Sequence, residues 1–289
     1  MSRSARRPRL ASRLASCACL GLVALSGAGC STTGTTLVDV LSASGNSGDR
    51  TGTVAAAAPT SQPRNEAEWR REAEIYGTRY RADPSDAASA MGYARALTAT
   101  DQRAQAVSVL EQASLRNPKN QALLGAFGRA LADVGRYEQA LEVLGRAHSP
   151  DRPDWRILSA QGTVLDQLGR HKQAQAYYTT ALKIAPNEPS ILSNLGLSYA
   201  LDKNLAEAEA TLRRASEQPN ADPRVRQNLA LVVGLQGRFA DAEQIAKADL
   251  PPTEAAANVT YLREMLADKG GGEWKRMGRQ PQIAARGKS

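Results

Sequence analysis

The sequence has few of the residues from which catalytic and metal sites are built. Its 289 residues include two histidines and three cysteines, and the cysteines all lie near the N-terminus: Cys17, Cys19 and Cys30. The rest of the chain therefore cannot form a disulfide or a cysteine-based metal site. It also lacks a phosphate-binding loop and a cluster of titratable residues at catalytic spacing, and we assign His171 to a packing position. We predict no enzymatic activity, cofactor, metal ion or small-molecule substrate.

Aromatic residues are also scarce, at 4% of the chain, and few stretches alternate apolar and polar side chains as a half-buried strand does. Alanine is abundant, which favours an all-α protein with closely packed helices. The net charge of +8 comes from the two ends of the chain, because without residues 1–29 and 269–289 there are 26 bases and 28 acids. A nearly neutral body does not predict a nucleic-acid partner. We interpret its carboxylates as solvated pairs with Lys and Arg along helix faces.

The first 29 residues have the layout of a signal peptide. Five arginines precede residues 17–29, an apolar run of 13 residues that is too short to span a bilayer. The small residues before Cys30 resemble the lipobox of bacterial lipoprotein precursors, although Gly27 stands where those precursors usually have leucine. The resemblance implies a lipid on Cys30, and Ser31 after it implies the outer membrane. Cys17 has a better local match but no apolar run before it, and an ordinary cleaved signal peptide or a short N-terminal anchor remains an alternative.

Residues 30–64 are rich in Ser, Thr, Gly and Ala, which predicts a flexible tether. The exception is the apolar stretch at residues 37–41, LVDVL. After the tether, Asn65 and Glu68 form a capping-box pattern that predicts the start of a helix.

Small residues then recur every 34 positions through the body of the chain. One series is Ala94, Gly128, Gly162, Gly196 and Ala230. A second series consists only of alanine: Ala106, Ala140, Ala174, Ala208 and Ala242. A fixed period of this length is typical of a helical solenoid. The pattern predicts five helix–turn–helix units, with an additional helix at each end.

These units resemble the tetratricopeptide repeat, in which small residues at positions eight and twenty allow the paired helices to approach closely. Glycine marks the predicted turn at Gly135, Gly169 and Gly237, where a left-handed conformation is needed. The fourth unit has Lys203 and Asn204 instead, and we predict that Asn204 takes that conformation. The predicted fold is an all-α, superhelical tetratricopeptide-repeat solenoid over residues 65–268, followed by a basic disordered tail at 269–289.

A solenoid of this kind offers a groove lined by the first helices of its repeats. We predict that a protein segment binds there to eight residues: Arg95, Arg129, Thr163, Asn194, Leu197, Gln227, Asn228 and Leu231. Asn194 and Asn228 occupy positions that resemble those at which tetratricopeptide repeats bind a peptide backbone. They could instead bridge neighbouring helices, and the leucines could instead belong to the core.

Four stretches in the C-terminal half carry a closer resemblance: residues 222–232 (DPRVRQNLALV), 234–238 (GLQGR), 248–252 (ADLPP) and 255–259 (AAANV). They are similar to the TadD-type lipoproteins of Flp (tight adherence) pilus assembly. The resemblance implies an outer-membrane lipoprotein that faces the periplasm and acts as a pilotin-like factor for the pilus secretin. The alternative is a general envelope scaffold that joins periplasmic proteins and has no secretin client.

Overall fold

A computed structural model describes residues 65–268, which contain twelve helices and no strand. The helices are α1 (Glu66–Ala82), α2 (Ala87–Ala99), α3 (Arg103–Arg116), α4 (Gln121–Asp133), α5 (Tyr137–Gly145), α6 (Trp155–Gln167), α7 (His171–Ile184), α8 (Pro189–Leu201), α9 (Leu205–Ser216), α10 (Pro223–Leu235), α11 (Phe239–Ala246) and α12 (Pro252–Asp268). The all-α prediction is confirmed. None of the described helices has both the length and the apolar character that crossing a bilayer requires. The predictions for the signal peptide, Cys30, the tether and the basic tail lie outside the described residues.

The first helix of every repeat begins at a polar N-cap residue, and these residues are also 34 positions apart. They are Asp86, Asn120, Asp154, Glu188 and Asp222, and each side chain accepts a hydrogen bond from a backbone N–H of the first turn. Such caps satisfy donors that have no partner inside the helix. At α1, Asn65 and Glu68 form the predicted capping box, with hydrogen bonds of 2.9 and 3.1 Å. The sequence period therefore sets where the helices start.

The turn inside every repeat contains one residue with positive φ. The glycines at this position have φ values of 71° to 83°, and the other two repeats have Asp101 at 59° and Lys203 at 65°. The prediction that Asn204 is the left-handed residue is therefore wrong. Asn204 has a φ of −93°, and its side chain accepts a hydrogen bond from Glu207 N to cap α9. The left-handed residue is the one before it, because its place in the turn matches that of glycine in the other repeats.

The small residue at position eight makes room for a large side chain sixteen residues later. A Cβ atom on Gly162 would lie 2.6 Å from Tyr178 Cε1, and one on Gly196 would lie 2.6 Å from Leu212 Cγ. Position twenty is small for the same reason of crowding, since Ala174 and Ala208 have no exposed surface. Small residues at both positions therefore let the paired helices approach closely.

Each first helix packs against the second helix of its own repeat and of the repeat before it. The last helix, α12, continues this order by packing on α10 and α11. Its buried residues are Ala255, Val259, Leu262 and Leu266. Leu262 lies directly over Gly234 of α10. The helix therefore covers the apolar end that the fifth repeat would otherwise expose.

Candidate functional site

The predicted groove residues lie on the first helices, which contact one another in the order α2, α4, α6, α8 and α10. Five of the eight residues lie on the adjacent helices α8 and α10: Asn194, Leu197, Gln227, Asn228 and Leu231. The other three are spread over α2, α4 and α6. The structure therefore concentrates the predicted residues in repeats four and five, with single residues on the earlier repeats.

The three earlier residues have different surroundings. Arg95 is exposed, and its guanidinium lies 3.7 Å from Glu72 Oε2 on α1. Arg129 is half-buried beside Asp133 on α4. Burial raises the pKa of the Asp133 carboxyl, and the positive charge of Arg129 opposes that rise. Thr163 is also half-buried, and its hydroxyl donates to the Ser159 carbonyl oxygen within α6.

The two asparagines form hydrogen bonds between successive first helices. Asn194 Nδ2 donates to Ser159 Oγ at 3.4 Å, and Asn228 Nδ2 donates to Ser193 Oγ at 3.0 Å. In both pairs the two residues are 35 positions apart, so the same contact repeats from α6 to α8 and from α8 to α10. The alternative that these asparagines bridge neighbouring helices is confirmed. Contact with a bound segment remains a prediction.

The side chain of Asn228 has unused hydrogen-bonding capacity. It is 3% exposed, and its Oδ1 atom has no hydrogen-bond partner among the described residues. A buried acceptor without a partner lowers stability by about 1–3 kcal/mol relative to a satisfied one. Because the oxygen itself is buried, a donor from a binding partner could reach it only after a local rearrangement of α8 and α10.

The other residues of this pair of helices form a mixed surface around Asn228. Gln227 is exposed, Leu231 is half-buried and Leu197 is 6% exposed. Leu197 therefore contributes mainly to packing, as the alternative for the leucines stated. Gln227 and Leu231 can present an amide and an apolar side chain to a bound segment.

Sequence reasoning missed a buried carboxylate at the end of α6. Asp166 is 8% exposed, and three side chains bind it: Tyr178 OH donates to Oδ2 at 3.1 Å, Ser198 Oγ donates to Oδ1 at 2.8 Å, and His171 Nδ1 lies 2.9 Å from Oδ1. Burial raises the pKa of Asp166, and the three hydrogen bonds oppose that rise. Burial also raises the pKa of Tyr178.

This network joins the third repeat to the fourth, because Ser198 belongs to α8 while Tyr178 and His171 belong to α7. A second bridge lies beside it, where Asp202 at the end of α8 accepts hydrogen bonds from Lys172 and Gln175 of α7. The interpretation of the carboxylates as solvated pairs along helix faces is therefore wrong for Asp166. Its burial depends on residues from three helices, and no local spacing indicates it.

The residues at the α8–α10 contact can form hydrogen bonds and apolar contacts. No group of three or more His, Cys, Asp or Glu residues in residues 65–268 could hold a metal ion. The α8–α10 surface offers the exposed amide of Gln227 and the half-buried apolar side chain of Leu231. These groups match the backbone and side chains of a protein segment.

Two family models match parts of the chain. A tetratricopeptide-repeat model matches residues 159–223, and a model of the anaphase-promoting complex, cyclosome, subunit 3 matches residues 70–147. No curated protein matches the sequence.

Solved structures with the same fold cover about two thirds of the chain. PilW, described as a widely conserved type IV pilus biogenesis factor, has a TM-score of 0.60 and 16% identity, covering 67% of this chain and 91% of its own. TTC0263, a thermophilic repeat protein of Thermus thermophilus, has a TM-score of 0.53 and 20% identity, covering 63% and 99%. PilF of Pseudomonas aeruginosa has a TM-score of 0.51 and 17% identity, covering 68% and 96%. At these identities the similarity shows the fold alone.

Proposed function

We propose that this chain, which is a tetratricopeptide-repeat protein, is a pilotin-like assembly factor for the secretin of an Flp (tight adherence) pilus. In this proposal a lipid on Cys30 anchors it to the outer membrane, the repeats face the periplasm, and a segment of the secretin binds between α8 and α10. Tetratricopeptide repeats generally act as scaffolds for protein partners, so binding rather than catalysis is the expected activity.

The observation that carries the binding part is the exposed side-chain amide of Gln227 on α10. Its neighbour Asn228 lies at the α8–α10 contact, where it donates to Ser193 and where its Oδ1 atom is buried. An extended segment crossing these helices could exchange backbone hydrogen bonds with the Gln227 amide. Half-buried Leu231, one helical turn further along, would contact an apolar side chain of the same segment.

Two further observations favour a pilus client. The four stretches between residues 222 and 259 resemble TadD-type lipoproteins, and PilW, a protein of the same fold, is described as a pilus biogenesis factor. A general envelope scaffold would need only the fold. The two functions therefore differ in whether loss of the protein affects a secretin.

The test is to delete the gene and restore it as wild type or as single variants, and then to measure secretin multimers and surface pili. Leu231→Glu places a charge in the groove and should reduce multimers to the level of the deletion. The matched control is Leu115→Glu on α3, because Leu115 is 70% exposed and distant from α8 and α10. Normal multimers in the deletion strain would exclude the secretin proposal, and the same loss with both variants would exclude the groove.

The lipid anchor has its own test. Cys30→Ser removes the acceptor sulfur, and several acyl chains hold a protein on a membrane because each buried CH₂ contributes about 0.8 kcal/mol. We expect the variant to move from the membrane fraction to the soluble periplasmic fraction. Retention in the membrane fraction would contradict lipidation at this cysteine.

A further inference from the structure

A second surface of α8 is open on the side away from the proposed groove. There an open cleft of about 540 Å³ lies between α7 and α9, with α8 as its floor. The floor residues Leu192 and Leu195 precede the groove residues Asn194 and Leu197 by two positions, and Tyr199 lies one turn after Leu195. Two positions correspond to a rotation of about 200° around a helix, so the two sets face nearly opposite directions.

The cleft combines an apolar floor with a positively charged rim. Leu182 of α7 extends the apolar surface, and Lys183 of α7 and Arg214 of α9 stand at its opposite walls. Arg214 Nη2 donates to the Pro186 carbonyl oxygen at 2.6 Å, which holds the guanidinium in place without neutralising it. Within residues 65–268, neither Lys183 nor Arg214 has a carboxylate within ion-pair distance. An occupant should therefore be apolar and should carry a negative charge.

The chain itself contains a segment with this composition. Residues 37–41 (LVDVL) hold four of the five large apolar side chains between positions 31 and 64, and Asp39 is the only acid in the first 48 residues. This segment lies outside the described residues. Its two apolar pairs, one on each side of a single carboxylate, complement apolar side chains that lie between two cations.

The length of the intervening chain allows the segment to reach the cleft. The 23 residues at positions 42–64 are mostly small and polar. Any random coil of 23 residues spans about 25–30 Å on average, and a fully extended chain of that length spans about 75 Å. The cleft lies three repeats beyond α1, or about 30 Å away if the first helices of successive repeats are about 10 Å apart. A tethered segment reaches an effective concentration in the millimolar range, so even weak docking would be populated.

We propose that residues 37–41 dock in the cleft formed by α7, α8 and α9, with their apolar side chains on Leu182, Leu195 and Tyr199 and with Asp39 between Lys183 and Arg214. The docking does not depend on the proposed function. If Cys30 carries a lipid, docking would shorten the free link between the bilayer and the repeats from about 34 residues to about six, and undocking would release the repeats from the membrane surface.

The test is intramolecular disulfide formation in the full chain with Cys17, Cys19 and Cys30 replaced by serine. One new cysteine replaces Ala43, just after the segment, and the other replaces exposed Thr180 on α7. The control pair joins Ala43→Cys with Gln112→Cys on α3, which has the same place in its repeat, is also accessible and lies nearer to residue 65. We expect the pair with residue 180 to oxidise at least about fivefold faster than the control, since about 1 kcal/mol of docking free energy gives that ratio.

Charge reversal then identifies the contact. Asp39→Lys should lower the rate of disulfide formation between positions 43 and 180 to the rate of the control pair. Adding Lys183→Glu and Arg214→Glu to that variant should restore the faster rate. Because Arg214 also holds the loop at Pro186, Lys183→Glu alone provides a second variant, and it should slow the reaction while leaving the thermal midpoint unchanged. The proposal is overturned if the two cysteine pairs form disulfides at equal rates, or if Asp39→Lys does not change the rate. It is also overturned if disulfides form only between two molecules.

Discussion

The contact between Gly162 and Tyr178 predicts that one added methyl group destabilises the third repeat. A Cβ atom at position 162 would lie 2.6, 2.8 and 2.9 Å from three atoms of the Tyr178 ring. The ring has little freedom to move away, because Tyr178 is 1% exposed and its hydroxyl donates to Asp166. Gly162→Ala therefore forces either the ring or the two helices apart.

The expected cost is about 1–3 kcal/mol, which is typical of one extra group in a well-packed core. Replacing glycine by alanine within a helix contributes about 0.5–1 kcal/mol in the opposite direction, so the net loss should lie near 1–2 kcal/mol. For a domain of this size, each kcal/mol lowers the thermal midpoint by about 2–4 °C. We therefore expect the midpoint to fall by about 2–8 °C.

Urea and thermal unfolding followed by circular dichroism measure this effect. The control is Gly145→Ala at the end of α5, where a Cβ atom would have no neighbour within 4 Å. That variant should be as stable as wild type or slightly more stable. If Gly162→Ala matches the control, the close contact and the proposed role of position eight are wrong.

A double-mutant cycle tests whether the cost arises at Tyr178. The first repeat combines Ala94 with Leu110 sixteen residues later, and both are buried. Gly162→Ala together with Tyr178→Leu copies that combination. We expect the added alanine to cost clearly less in the Tyr178→Leu variant than in the wild type, which is a coupling of about 0.5–3 kcal/mol. If the two substitutions change the free energy of unfolding additively, the strain does not arise at the contact between residues 162 and 178.

Three other predictions follow from the described residues. Lys203→Gly should raise the free energy of unfolding by about 1 kcal/mol in urea titrations, because lysine is strained at a φ of 65°; no gain would contradict the turn geometry. Ala174→Leu should cost about 1–3 kcal/mol, since Ala174 has no exposed surface, and an unchanged midpoint would refute the repeat register. For Asp166, burial raises the folded pKa above the ordinary aspartate value of 3.8, so its contribution to stability is present at lower pH and is lost as the pH rises through the folded pKa. The stability of Asp166→Asn relative to wild type should therefore increase between pH 4 and pH 7, and a pH-independent difference would contradict this.

The repeat architecture was predictable because each repeat carries its own local signals. Small residues at positions eight and twenty recur with one period, and that period also places the N-caps from Asp86 to Asp222. Caps, turns and packing positions all agree on the same helices, which is the condition for reliable inference from sequence. The error at Lys203 has a local cause. Asparagine is a good residue both for a left-handed turn and for an N-cap, and only the register of the turn decides between them.

The candidate site was only partly predictable, because its decisive contacts join residues about 35 positions apart. Asn194 and Asn228 were identified from their place in the repeat, but their serine partners were not. Asp166 was missed since its burial depends on Tyr178, His171 and Ser198 together. Position in a repeat indicates which face a residue occupies, whereas its partners depend on the neighbouring repeat.

Helix α8 is the element that connects these observations. It is bound to the third repeat by polar contacts, from Ser198 to Asp166 and from Asn194 to Ser159, and apolar packing alone would not set its position along α6 so closely. One of its faces contributes to the surface around Asn228, and the opposite face is the floor of the outer cleft. A change that moves α8 relative to α6 must therefore alter both surfaces at once. The two proposed events, occupation of the outer cleft and binding at the α8–α10 surface, would then be coupled through α8, with a sign that depends on which position of α8 each occupant favours.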